Sequence, residues 1–84
     1  MLNKSKIEEI DDMLLHVLDA LSANSSDIQV IKMMAGSVKR KMRDGSTLTV
    51  DEVADNADVA NNAAAKTVNA LRTMLKEIQE PLTD

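Results

Sequence analysis

Residues 47–71 read TLTVDEVADNADVANNAAAKTVNAL, and whether this stretch forms one helix or two decides the fold. Thr49 is a suitable cap for a helix beginning at Val50. Glu52, three residues on, completes a capping box. Val50, Val53, Ala54 and Ala57 give that helix an apolar side. With a turn at Asp58-Val59-Ala60, a second helix runs from Asn61 to Leu71 and turns Ala64, Val68 and Leu71 inward. The spacing then predicts a helix-turn-helix. It leaves Asn61, Asn62, Ala65, Lys66 and Asn69 facing out, as short amides, a lysine and small residues suited to a DNA major groove.

The segment resembles the helix-turn-helix core of small prokaryotic transcriptional regulators, including the winged MarR-, ArsR- and GntR-like families. The resemblance rests on Leu48-Thr49, on Val50-Asp51-Glu52-Val53-Ala54, on Val59 after the turn, and on Ala63-Ala64-Ala65-Lys66 with Val68 and Leu71 closing the motif. Asp58 stands at the turn position that usually holds glycine, and Ala60 where the second helix usually has a Ser or Thr cap. The resemblance implies a sequence-specific regulator that binds double-stranded DNA. Asn61, Asn62, Lys66 and Asn69 would touch base edges, and Lys39, Arg40, Lys41, Arg43 and Arg72 would touch phosphates.

The same residues carry a second pattern. No Gly or Pro occurs from Thr49 to Glu80. Val50, Val53, Ala57, Ala60, Ala64, Val68, Leu71, Leu75 and Ile78 step by three or four throughout. This spacing predicts one continuous amphipathic helix, and alanine is the strongest helix former. The chain would then be a helical bundle with one long C-terminal helix and no DNA-reading element. Both readings give an all-α fold, with sheet limited to a short ribbon near Leu48 or the C-terminus.

Upstream, Ser5 and Glu8 form a candidate capping box for a helix from about Lys6 to Ser22. Ile7, Ile10, Leu14, Val17 and Leu21 make a heptad-like seam along it, which predicts a homodimer interface. Ser22-Ala23-Asn24-Ser25-Ser26 reads as a polar connector. Ser26, with Gln29, then caps a second helix that ends at Arg43-Asp44-Gly45. The whole is a single domain, 1–84, divided into a packing helix (1–24), a second helix (25–45), the motif (47–71) and a helix end and tail (72–84), with Pro81 as the stop.

Eighty-four residues with 44 % hydrophobic content and no aromatics require a core of Leu, Ile, Val, Met and Ala. That suits helix-on-helix packing and excludes nucleic-acid binding by base stacking. The absence of cysteine excludes disulfides and thiolate metal sites and suits a reducing cytoplasm. No apolar run approaches membrane-spanning length, and Met1 to Ile10 is too charged for a signal peptide. The net charge of −4 opposes DNA binding, but it is unevenly distributed. Residues 36–50 carry Lys39, Arg40, Lys41 and Arg43 against Asp44, a local net of +3.

Catalytic chemistry lacks its parts. His16 is the sole histidine, near Asp12 and Asp19, and makes a weak metal site without further nitrogen or sulfur ligands. Glu8, Glu9, Asp11 and Asp12 suit the positive end of a helix dipole. Gly36 and Gly45 do not form a phosphate loop. The chain reads as a non-enzyme without cofactor. It is either a DNA-binding regulator or a helical module that binds a protein partner as antiactivator, chaperone or assembly factor, the latter including a helix-turn-helix fold that no longer binds DNA. A straight helix through Asp58 to Asn61 removes the helix-turn-helix.

Overall fold

A computed structural model describes residues 2–80, and the expected stop at Pro81 and the tail beyond it lie outside these residues. Two long antiparallel helices dominate, α1 (Lys4–Ala35, 32 residues) and α2 (Val50–Gln79, 30 residues). Between them a short antiparallel ribbon, β1 (Lys39–Lys41) and β2 (Thr47–Thr49), forms the tip of the hairpin. No helix among the described residues is long and apolar enough to cross a membrane.

The reading with one long C-terminal helix is the arrangement observed. Asp58, Val59 and Ala60, the expected turn, are helical, so residues 50–79 form one unbroken element. The capping box holds: Glu52 N–H donates to Thr49 Oγ1 at 3.1 Å, and Thr49 N–H donates to Glu52 Oε2 at 3.5 Å. Nothing in the sequence after it breaks the helix, and the polar residues at the expected turn have partners on α1. Ser25 Oγ donates to Asp58 Oδ1 at 3.4 Å, and Asn61 Nδ2 donates to the Leu21 carbonyl at 2.8 Å.

The same pairings correct the reading of the N-terminal half. The expected connector at 22–26 is the middle of α1, and the cap is Asn3, whose Oδ1 accepts from Lys6 N–H at 2.9 Å, rather than Ser5. Ser and Asn cost only about 0.5 kcal/mol each in a helix interior, which packing against α2 overcomes. Inward positions continue through the stretch at Leu21, Ser25 and Ile28.

α1 ends at Ala35, eight residues before the expected end at Arg43. Gly36 is packed so closely that an added Cβ would run into the Lys32 carbonyl oxygen. Lys39, Arg40 and Lys41 lie on β1 instead, in register with Thr49, Leu48 and Thr47. The ribbon closes through Arg43-Asp44-Gly45. Gly45 N–H donates to the Met42 carbonyl at 3.1 Å, and Met42 N–H to the Ser46 carbonyl at 2.8 Å. Gly45 has φ 89°, the left-handed position that such three-residue loops require. Asp44 Oδ1 accepts from Ser46 N–H at 2.9 Å and from its hydroxyl at 2.6 Å, and these bonds hold the Asp44 carboxyl below its ordinary pKa. Two further bonds tie the ribbon to the helices: Val50 N–H to the Val38 carbonyl and Asp51 N–H to the Gly36 carbonyl.

The molecule is a rod of 61 × 25 × 16 Å with a radius of gyration of 18.8 Å. A compact globule of this length would have a radius of gyration of about 12 Å. Only Ile7 and Ala54 are buried among the described residues.

Candidate interaction surface

The inward positions of α1 are Ile7, Asp11, Leu14, Leu18, Leu21, Ser25, Ile28 and Lys32, and those of α2 include Ala54, Asp58, Asn61, Ala64, Ala65, Val68, Arg72 and Leu75. They alternate steps of three and four, the spacing that keeps side chains on one side of a helix. Apolar and polar layers alternate along this seam. Arg72 clasps Asp11 with two hydrogen bonds, Nε to Oδ1 at 2.8 Å and Nη2 to Oδ2 at 3.3 Å. Lys32 donates to Asp55 and lies 4.0 Å from Asp51. With the Ser25–Asp58 and Asn61–Leu21 bonds, these contacts fix the register of the two helices.

The Arg72 guanidinium, chiefly through its hydrogen bond, holds the Asp11 carboxyl below its ordinary value of 3.8, and the arginine is raised in return. Hydrogen bonding to Asp55 likewise raises Lys32. A carboxylate whose folded pKa is depressed stabilises the fold above its unfolded value and loses that contribution as pH falls through the folded one. The Asp11 contribution is therefore complete above 3.8 and lost below it. Thermal melts from pH 5 down to pH 3 should show a steeper loss for the wild type than for Asp11→Asn. Parallel acid limbs would remove the clasp as a source of stability.

The remaining surface divides in two. On one side of the hairpin α1 presents Ile10, Met13, Val17, Ile31 and Met34, and α2 presents Val53, Ala57, Ala60, Leu71, Met74 and Ile78, all exposed. Positions seven apart recur on the same side, and an antiparallel pair brings the two stripes together. Near the tip they flank a groove of about 420 Å³ whose walls include Ile28, Ile31, Val38, Leu48, Val53 and Ala57. The polar residues on this side include Lys6, Glu9, Asn24, Asp27, Asn56 and Thr67. The opposite side carries Glu8, Asp12, Asp19, Ser26 and Gln29 from α1 and Glu52, Asp55, Asn62, Lys66, Asn69 and Lys76 from α2, interrupted by Leu15, Met33 and Val59.

This geometry redistributes the residues expected to bind DNA. Asn61 faces inward and its amide is spent on the Leu21 carbonyl. Asn62, Lys66 and Asn69 are exposed on the polar side, in the same stripes as Glu52 and Asp55. Arg72 is half-buried against Asp11. Lys39, Arg40, Lys41 and Arg43 are exposed at the tip, and Lys66 lies about 24 Å along α2 from the start of that helix. The amides and the basic quartet do not converge.

The expected dimer seam also divides. Ile7, Leu14 and Leu21 face α2 of their own chain, whereas Ile10 and Val17 belong to the open apolar side. Steps of three and four had merged two neighbouring lines into one. The polar layers between α1 and α2 escaped sequence reading because their partners lie 19 to 61 residues apart. Their signal was the unbroken inward register through residues 21–28.

His16 is exposed, and no group of three or more His, Cys, Asp or Glu poised to hold a metal occurs among the described residues. Comparison with family models, with curated proteins and with solved structures gave no match.

Proposed function

We propose that this chain is a non-catalytic helical interaction module, of the kind that serves as an antiactivator, chaperone or assembly factor in the cytoplasm. The observation that carries this reading is the one-sided hairpin, with apolar stripes on both helices facing the same way and none of the described residues covering them. The accessible area is 6420 Å². A compact monomer of this mass exposes about 4,900 Å². The excess is more than a standard interface removes from one partner, about 800 Å². Exposed apolar residues that run side by side along both helices mark a contact site.

A DNA-binding reading keeps one supporting observation, the exposed quartet Lys39, Arg40, Lys41 and Arg43. Such a tip suits phosphates, without base reading by α2.

The test compares Ile31→Asp and Leu71→Asp with Asn62→Asp on the polar side. Mass is read by sedimentation, stability by thermal melting, and binding to pooled random duplexes at low salt by anisotropy. The module reading expects no saturable DNA binding. It also expects a change in mass or melting for the two apolar-side variants but not for Asn62→Asp. Saturable, salt-dependent DNA binding, with all three variants matching wild type in mass and melting, would overturn it.

A further inference from the structure

We propose that the apolar side is covered by a second copy of this chain, laid antiparallel, with a two-fold axis crossing α1 at Asn24. The proposal rests on the interaction-module reading and names its partner. Two hairpins stacked in this way complete a four-helix bundle in which every helix neighbours only antiparallel helices. The accessible area in excess of a compact monomer is more than one partner of a standard interface buries.

Three observations choose the second copy and its direction. The first is symmetry. Asn24 lies on the line of α1 that contains Ile10, Val17 and Ile31, with an apolar residue seven positions to either side. Antiparallel pairing about Asn24 therefore sets Val17 against Ile31 of the second copy, and Asn24 against itself. An asparagine in an otherwise apolar seam fixes register when its amide meets another.

The second is shape. The groove of about 420 Å³ occupies the tip half of the apolar side, while Ile10, Met13, Leu71 and Met74 stand exposed on the open half. The antiparallel arrangement lays the protruding half of one copy over the groove of the other. Stacking the tips at the same end would instead set groove against groove.

The third is charge. The tip carries a local net of +3 from Lys39, Arg40, Lys41, Arg43 and Asp44, whereas residues 1–16 carry a net of −2 from Lys4, Lys6, Glu8, Glu9, Asp11 and Asp12. Antiparallel packing brings each basic tip beside the acidic end of the other copy. Tips together would oppose like charges.

The chain has no cysteine, so single thiols report positions cleanly. Sedimentation equilibrium of the wild type is expected to give the mass of two chains at micromolar concentration. Ile31→Asp should raise the dissociation constant by about a hundredfold or more, since two-fold symmetry places the charge in the interface twice. Asn24→Cys is expected to form a covalent dimer with a short bis-maleimide. Spin labels on Asp44→Cys should lie more than about 50 Å apart, given the length of two overlapping hairpins. A dimer with labels within about 25 Å would overturn the antiparallel arrangement while leaving the module reading intact. A single-chain mass at every concentration would overturn the second copy as partner. The module reading fails separately, by the DNA-binding and variant outcome given above.

Discussion

Ala60→Pro is expected to lower stability by about 3 kcal/mol or more, because proline in a helix interior removes one backbone hydrogen bond and clashes with the preceding turn. Ala60 lies in the interior of α2, where the structure has continuous helix. Domains are stable by only about 5–15 kcal/mol, and a rod with few buried residues has little reserve. The variant should show a large loss of helical circular dichroism signal or a strongly lowered melting temperature. The experiment separates the two readings of residues 47–71, since proline just ahead of a helix is well accepted. A variant that melts within a few degrees of wild type would place a turn at 58–60.

Ile7→Ala is expected to cost about 2–5 kcal/mol, the range for removing a buried isoleucine side chain. Ile7 is 1 % exposed, beside Leu75 and Gln79 and under the Asp11–Arg72 clasp. Its place near the open end of the hairpin favours the lower part of that range, because neighbouring turns can relax. Ile10→Ala, one helical turn away, should cost much less within a single chain, since Ile10 is 37 % exposed. Denaturant titration well below the dimer dissociation constant provides the comparison. Equal losses for the two variants would contradict the assignment of Ile7 to the intrachain seam and Ile10 to the open side.

Several elements were legible in the sequence because their causes are local. The capping box at Thr49 and Glu52 needs only residues three apart, and it forms as read. Gly45 marks a left-handed turn, although that turn closes a ribbon rather than ending a helix. The largely helical fold follows from apolar spacing by three and four, and a short ribbon near Leu48 was among the expectations. The basic cluster at residues 39–43 was visible as charge, but its place at a tip was not.

What lay beyond the sequence was decided by contacts between distant residues. Polar runs at 22–26 and 58–61 look like connectors locally, with only tenths of a kcal/mol per residue favouring or opposing helix. Each run is the other's partner across the hairpin, through Ser25–Asp58 and Asn61–Leu21, and pairing keeps both helices unbroken. The same contacts took Asn61 away from any recognition surface. α1 carries two neighbouring apolar lines of equal period, and periodicity cannot say which one packs inward. The clasp of Asp11 by Arg72 and the reach of Lys32 to Asp51 and Asp55 rotate the helices so that Ile7, Leu14 and Leu21 turn in and Ile10, Val17 and Ile31 stay out. Composition and spacing thus determined an amphipathic, largely helical chain. Only the tertiary pairing of polar side chains 19 to 61 residues apart decided where its helices end and which apolar face it leaves open.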